Sequence, residues 1–221
     1  LGLALGNMFG SYWAYTVLNW GGFWGWDPVE NASFLPWLTM TAFYHSTMIT
    51  ERKGGMKFWN ILLILFTWEL TVYGTLLTRS GIIASVHTFG QSVTAPYYIN
   101  YMVIVFAATL ILVAWKYNSI QSKNVFESFV SREASFLYNN WIFMAATISI
   151  LWGTTYPLLS EAFRGYKVMV GPSFYNQVNV PLGIALLSLM AICPLIAWRK
   201  ASVLNLKRNF TKPLAATVIA M

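Results

Sequence analysis

The chain has 221 residues, of which 57% are hydrophobic and only 10% charged, with a mean hydropathy of +0.55. That balance excludes an ordinary water-soluble domain and marks an all-α integral membrane protein that crosses the bilayer several times. A net charge of +7 would suggest nucleic acid in a soluble protein, but here the bases sort by loop, and no nucleic acid is expected.

Apolar runs of roughly 18–21 residues recur, each long enough to span a hydrocarbon core as a helix. About six such helices are expected, with the start of another at the end of the chain. The alternation of a membrane β-barrel is missing. Eleven of the fourteen basic residues fall in the loops 51–57, 116–138 and 199–213, while the intervening loops 79–97 and 160–179 hold only Arg79, Arg164 and Lys167. The positive-inside rule puts the first set inside and the second outside. The Trp-rich segment 19–30 then faces the periplasm, the intermembrane space or the exterior, the first two corresponding to a bacterial or mitochondrial inner membrane.

In chain order, residues 1–18 read as a helix with Gly2, Gly6 and Gly10 spaced for close packing of another helix. Next comes WGGFWGWDPVENASFLPW, from Trp20 to Trp37. Trp20, Phe23, Trp24 and Trp26 are separated only by Gly21, Gly22 and Gly25, so the backbone can turn sharply beneath a wide, flat, apolar ligand. Asp27, Pro28 and Glu30 form a capping-box signature. The helix that follows, about 28–50, is expected to kink at Pro36.

On that helix Phe34, Trp37, Thr41, His45 and Met48 share one face. His45 lies roughly 20 Å from the outer boundary, inside the hydrocarbon region, where a titratable group is either a ligand or a helix-to-helix hydrogen bond. Glu69, on a helix at 58–78, lies near mid-membrane, either as a proton-relay carboxylate or as a protonated helix contact. The outer loop 79–97 carries Arg79 and His87, and Tyr97, Tyr98 and Tyr101 mark the interface at the start of the helix 98–115.

Residues 116–138, with Phe126, Phe129 and Phe136, read as an amphipathic surface helix. Helices at 140–159 and 180–198 follow, separated by an outer segment that alternates near Tyr166 to Val170 as a short strand or lid. The lone Cys193 permits no internal disulfide, and there is no C-x-x-C-H motif of the chain's own. Leu1 begins inside a helix and Met221 stops early in an apolar run, so the single membrane domain 1–221 is expected to be part of a longer protein or a split subunit.

An outward indole platform, a histidine on the same side and another inside the bilayer together suggest haem. The aromatic rings would cover the porphyrin, His87 would supply an axial nitrogen, and Arg79 would meet a propionate. The Trp-rich stretch resembles the WWD signature of haem-handling membrane proteins, and its DPVENAS continuation is similar to the CcmF family of cytochrome c haem lyase subunits. The resemblance runs through His45 and Thr78-Arg79-Ser80-Gly81 to Val86-His87, with Phe23 and Gly25 departing from the aromatic residues of the signature.

This resemblance implies a haem lyase that holds substrate haem on Trp20, Phe23, Trp24, Trp26 and Asp27, with His87 as iron ligand and catalytic residue, while its vinyl groups join the thiols of an apocytochrome c. It further implies a b-type haem on His45, a haem chaperone and other maturation subunits as partners, and a quinol as possible electron source among the membrane lipids. Each haem would need a second histidine from outside this chain, which has only two. The competing readings are a haem exporter or delivery protein, which needs no haem on His45, and a quinone-linked redox subunit using Glu69 and His45.

Overall fold

A computed structural model describes residues 1–20, 22–121, 128–198 and 202–220, giving only the backbone of Lys53, Val203 and Ala220. Gly21 and Phe126, singled out above, lie outside the described residues. The elements are α1 (Gly2–Thr16), α2 (Pro28–Lys53), α3 (Lys57–Ser80), α4 (Ala95–Trp115), α5 (Tyr117–Ile120), α6 (Arg132–Arg164), α7 (Pro172–Ile192) and α8 (Val203–Ala220), with a 3-10 turn at Cys193–Leu195. No strand occurs among the described residues. Four helices are long and apolar enough to cross a bilayer: Lys57–Ser80, Ala95–Trp115, Arg132–Arg164 and Pro172–Leu195. The protein is an all-helical integral membrane protein.

The centre is built from α2, α3 and α6. Leu35, Leu38 and Ala42 of α2 meet Leu63, Leu70 and Leu77 of α3 and Phe143 and Ile150 of α6 in one buried cluster. Small residues set two of the close approaches. Pro36 sits inside the unbroken α2 and cannot donate to the carbonyl of Ala32, and that oxygen lies 3.5 Å from where a Cβ on Gly74 of α3 would be. In α6, Gly153 lies directly under Tyr175 of α7, whose ring atoms would be 2.8 Å from an added Cβ. Outside this core, α4 has no fully buried residue and touches the cluster only through Ala95, Tyr98 and Met102.

Two local expectations are corrected. From Arg132 on, the stretch before 140 is not a surface helix: Ser131 accepts a hydrogen bond from Ala134 N at 3.0 Å, caps α6, and starts it at Arg132. Phe136 therefore belongs to a 33-residue helix and stacks on His45 of α2, whereas Phe129, ahead of that helix, is exposed. Residues 166–170 form no strand, because no neighbouring strand is present to pair with them. Val168 N donates instead to Ser160 Oγ at 2.8 Å. Among the described residues nothing lies within 4 Å of a Cβ placed on Gly2, Gly6 or Gly10, so that face of α1 is open.

Connections gather at two ends. At one, Lys167 Nζ donates to the carbonyl of Ile82 at 2.9 Å and Trp26 Nε1 donates to Asn176 Oδ1 of α7 at 2.8 Å, tying that end together. At the other, Arg132 N donates to Ala197 O at 3.0 Å and the Arg52 guanidinium lies over Trp198 at 4.1 Å.

Candidate functional site

The capping box predicted from Asp27 and Glu30 is present. Asp27 Oδ2 accepts from Val29 N at 3.0 Å, and Glu30 Oε2 accepts from Asp27 N at 3.1 Å and Gly25 N at 2.9 Å. These bonds fix the end of the aromatic segment on α2. Opposite it, α3 ends at Gly81, whose φ is 63° and where an added Cβ would sit 2.9 Å from Gly90 O, leaving no room for a side chain. The chain then folds back, with Phe89 N donating to Thr78 O at 3.2 Å and Ser92 N to Ser80 O at 3.3 Å. His87 is thereby carried to Asp27.

Its Nδ1 lies 3.0 Å from Asp27 Oδ2, and Ser85 Oγ donates to the same oxygen while accepting from His87 N at 3.0 Å. Trp20 meets the imidazole edge-on, with ring centres 4.7 Å apart at 85°. Trp20, Trp24 and His87 line a cleft of about 230 Å³ whose far wall is the Asn7 and Gly10 side of α1. A neighbouring cavity of about 380 Å³ shares Trp20, Trp24 and Glu30 with it. Gly6 and Gly10 of the small-residue stripe line this cleft.

The other predicted platform residues are directed elsewhere. Phe23 stacks on Tyr15 at 4.2 Å and is half exposed. Trp26, at a left-handed φ of 56°, turns toward the bundle and stacks on Tyr175 at 5.0 Å and 10°. Arg79 is exposed, with its guanidinium over Phe89 at 5.9 Å, and does not line the Trp20 and His87 cleft. Lys167 pairs with Glu161 at 3.5 Å.

His45 has a different setting. Its ring is stacked between Phe136 at 5.5 Å and Phe143 at 6.1 Å, both from α6, and Asn139 Nδ2 lies 3.3 Å from its Nδ1. Beside it opens a cavity of about 300 Å³, lined also by Ser135, Met190, Cys193 and Arg132. The Arg132 guanidinium donates to the carbonyls of Cys193 and Pro194 there. Phe136, Asn139 and Phe143 escaped the reading of the sequence, although their three-and-four spacing is the signal of a shared helix face.

Rings also connect the two places. Trp24 meets Phe34 at 5.7 Å, Phe34 stacks on Trp37 at 5.3 Å, Trp37 meets Phe143 at 6.3 Å, and Phe143 covers His45. Glu69 is buried on α3, its Oε1 has no hydrogen-bond partner among the described residues, and it does not line the His45 cavity. Among the described residues no three His, Cys, Asp or Glu side chains gather as a metal site.

A family profile described as "Cytochrome C assembly protein" matches residues 1–84, which contain the aromatic segment and His45. The cytochrome c-type biogenesis protein CycK of Bradyrhizobium diazoefficiens is 40% identical over 220 residues, covering 99% of this chain and 33% of its own. CcmF of Pseudomonas aeruginosa is 40% identical over 218 residues, 98% of this chain and 33% of its own. A solved structure of cytochrome c heme lyase CcmF aligns with a TM-score of 0.70 at 34% identity, covering 90% of this chain and 29% of that one. The chain is similar to CcmF along nearly all its length. It spans about a third of the length of the curated relatives it matches. The similarity to CcmF extends well past the profile, through the His87 loop and into α7.

Proposed function

We propose that the chain is the haem-holding part of a cytochrome c haem lyase, working with further protein and subunits in an inner membrane. The observation that carries this reading is the convergence of Trp20, Trp24 and His87 on one cleft, although His87 is more than sixty residues away in sequence. Haem is the substrate there. Indole faces suit the porphyrin, and a single imidazole suits one axial position of its iron. The basic residue bias supports a cleft facing the periplasm or intermembrane space.

The chemistry is addition of two apocytochrome thiols, from a C-x-x-C-H segment, across the two vinyl groups. Each addition forms one carbon–sulfur bond and moves the thiol hydrogen to carbon, with no net electron transfer. This chain contributes orientation: Trp20 and Trp24 restrict one face and His87 fixes the centre, so the thiols approach a held target. A haem chaperone and other maturation subunits supply the substrate haem and the remaining contacts.

The surroundings of His45 support a second, resident b-type haem on that imidazole, bound at the mouth of its cavity. The imidazole is held on both faces by phenyl rings, and its edge borders open volume. Asn139 Oδ1 is buried without a partner; with the amide turned over, that oxygen accepts from His45 Nδ1–H and leaves Nε2 as a lone-pair donor. When bound, such a haem supplies one-electron chemistry, with a quinol as the chemically suitable reductant within the membrane. A delivery protein would have no use for this site. The test is a reduced-minus-oxidised spectrum of the purified assembly: two haem populations are expected, and a single population confined to the outer cleft would favour delivery.

A further inference from the structure

We infer that Asp27 is a positioning residue that sets the ring orientation and tautomer of His87, beyond its role as a helix cap. The inference rests on the reading of His87 as the ligand of substrate haem. Asp27 Oδ2 takes three donors: Val29 N on its own helix, and Ser85 Oγ and His87 Nδ1 from the loop beyond α3. Capping needs only the first. The other two cross from one element to another over about sixty residues of sequence, and they are what attach the His87 loop to α2.

The chemistry of the contact is directional. An ionised carboxylate only accepts, so the neutral imidazole must carry its hydrogen on Nδ1 and leave Nε2 with the lone pair that binds a metal. Free histidine in its neutral form favours the opposite tautomer. Ser85 fixes the backbone as well, because its hydroxyl donates to Asp27 while accepting from His87 N. Trp20 braces the ring edge-on. With Nδ1 and the backbone both pinned, rotation of the imidazole about its side-chain bonds is blocked from two sides. The side chains of His87 and Asp27 are only 30% and 16% exposed, so water competes weakly for the contact.

The two roles of Asp27 separate by substitution, because asparagine and serine cap helices about as well as aspartate, whereas a serine hydroxyl is too short to reach the imidazole. Nitrogen-15 spectra of histidine-labelled, haem-free protein read the tautomer, with H45Q and H87Q assigning the two rings. Wild type is expected to hold His87 in the Nδ1–H form, and D27S to shift it toward Nε2–H. D27N, which retains an acceptor oxygen, should fall between them. S85A leaves the cap intact and should loosen the same tautomer bias, so it keeps the question answerable if D27S folds poorly. Haemin affinity of the outer cleft should drop by about 10–100-fold in D27S, the usual effect of removing a partner behind a metal-binding imidazole. An unchanged His87 tautomer in both D27S and S85A overturns the inference. A shifted tautomer with wild-type haemin binding in both D27S and H87Q overturns instead the reading of His87 as a haem ligand.

Discussion

His87 is carried to its cleft by a loop and takes its bearing from a carboxylate on another element, whereas His45 rises from the middle of α2 and is clasped by two phenyl rings of α6. The first arrangement can yield when α3's trailing loop moves, and it opens onto a cleft bounded by exposed aromatic rings. The second cannot yield without disturbing the central helix pair. On the proposed reading this is the difference between a site whose haem must arrive and leave and one whose haem stays.

The sharpest way to break the comparison is to remove each imidazole in turn. H45Q is expected to abolish the absorption of the membrane haem while leaving the outer haem, and H87Q to do the reverse and cut thioether formation by at least about 100-fold, as for loss of a group that orients a reactant. Loss of both haems in either variant would mean that the sites are not separate. Gly81→Ala comes next, because a side chain is forced into a left-handed conformation costing about 1–2 kcal/mol and against the Gly90 carbonyl. Haemin titration should register about a tenfold weaker outer cleft, with the His45 bands unchanged.

Trp26→Phe keeps the stack on Tyr175 but loses the hydrogen bond to Asn176, a cost of about 1 kcal/mol. Thermal unfolding should report that loss while both haem spectra stay as they were. A weaker outer haem would return Trp26 to the ligand platform. The smallest effect is expected from Asn139→Ala, which removes the 3.3 Å contact to His45 and about 0.5 kcal/mol. Its readout is a displaced band of the His45 haem at undiminished occupancy.

Much of this arrangement is legible in the sequence. The helical membrane fold follows from apolar runs, the start of α2 from Asp27, Pro28 and Glu30, and the shared face of Phe34, Trp37 and His45 from their spacing. These are local patterns, and local patterns survive in one dimension. The Asp27 and His87 pair does not, because nothing in either segment reports that Gly81 returns the chain toward α2. Neither does the division between Trp24, which lines the cleft, and Trp26, which still meets Trp24 edge-on at 5.9 Å but at a positive φ lies flat on Tyr175. The surroundings of His45 are hidden for a third reason: Phe136 lies in a stretch whose mixed polarity looks like a surface helix until α6 is seen to start at Arg132.

Gly153 has no chemistry of its own, yet it decides where Tyr175 can rest, and Trp26 lies flat upon Tyr175. The aromatic segment therefore stands on a foundation one hydrogen atom deep. One methyl group there would lift a tyrosine, then a tryptophan, then the turn ahead of Asp27, so inactivating changes should occur at a position that no inventory of ligands would name.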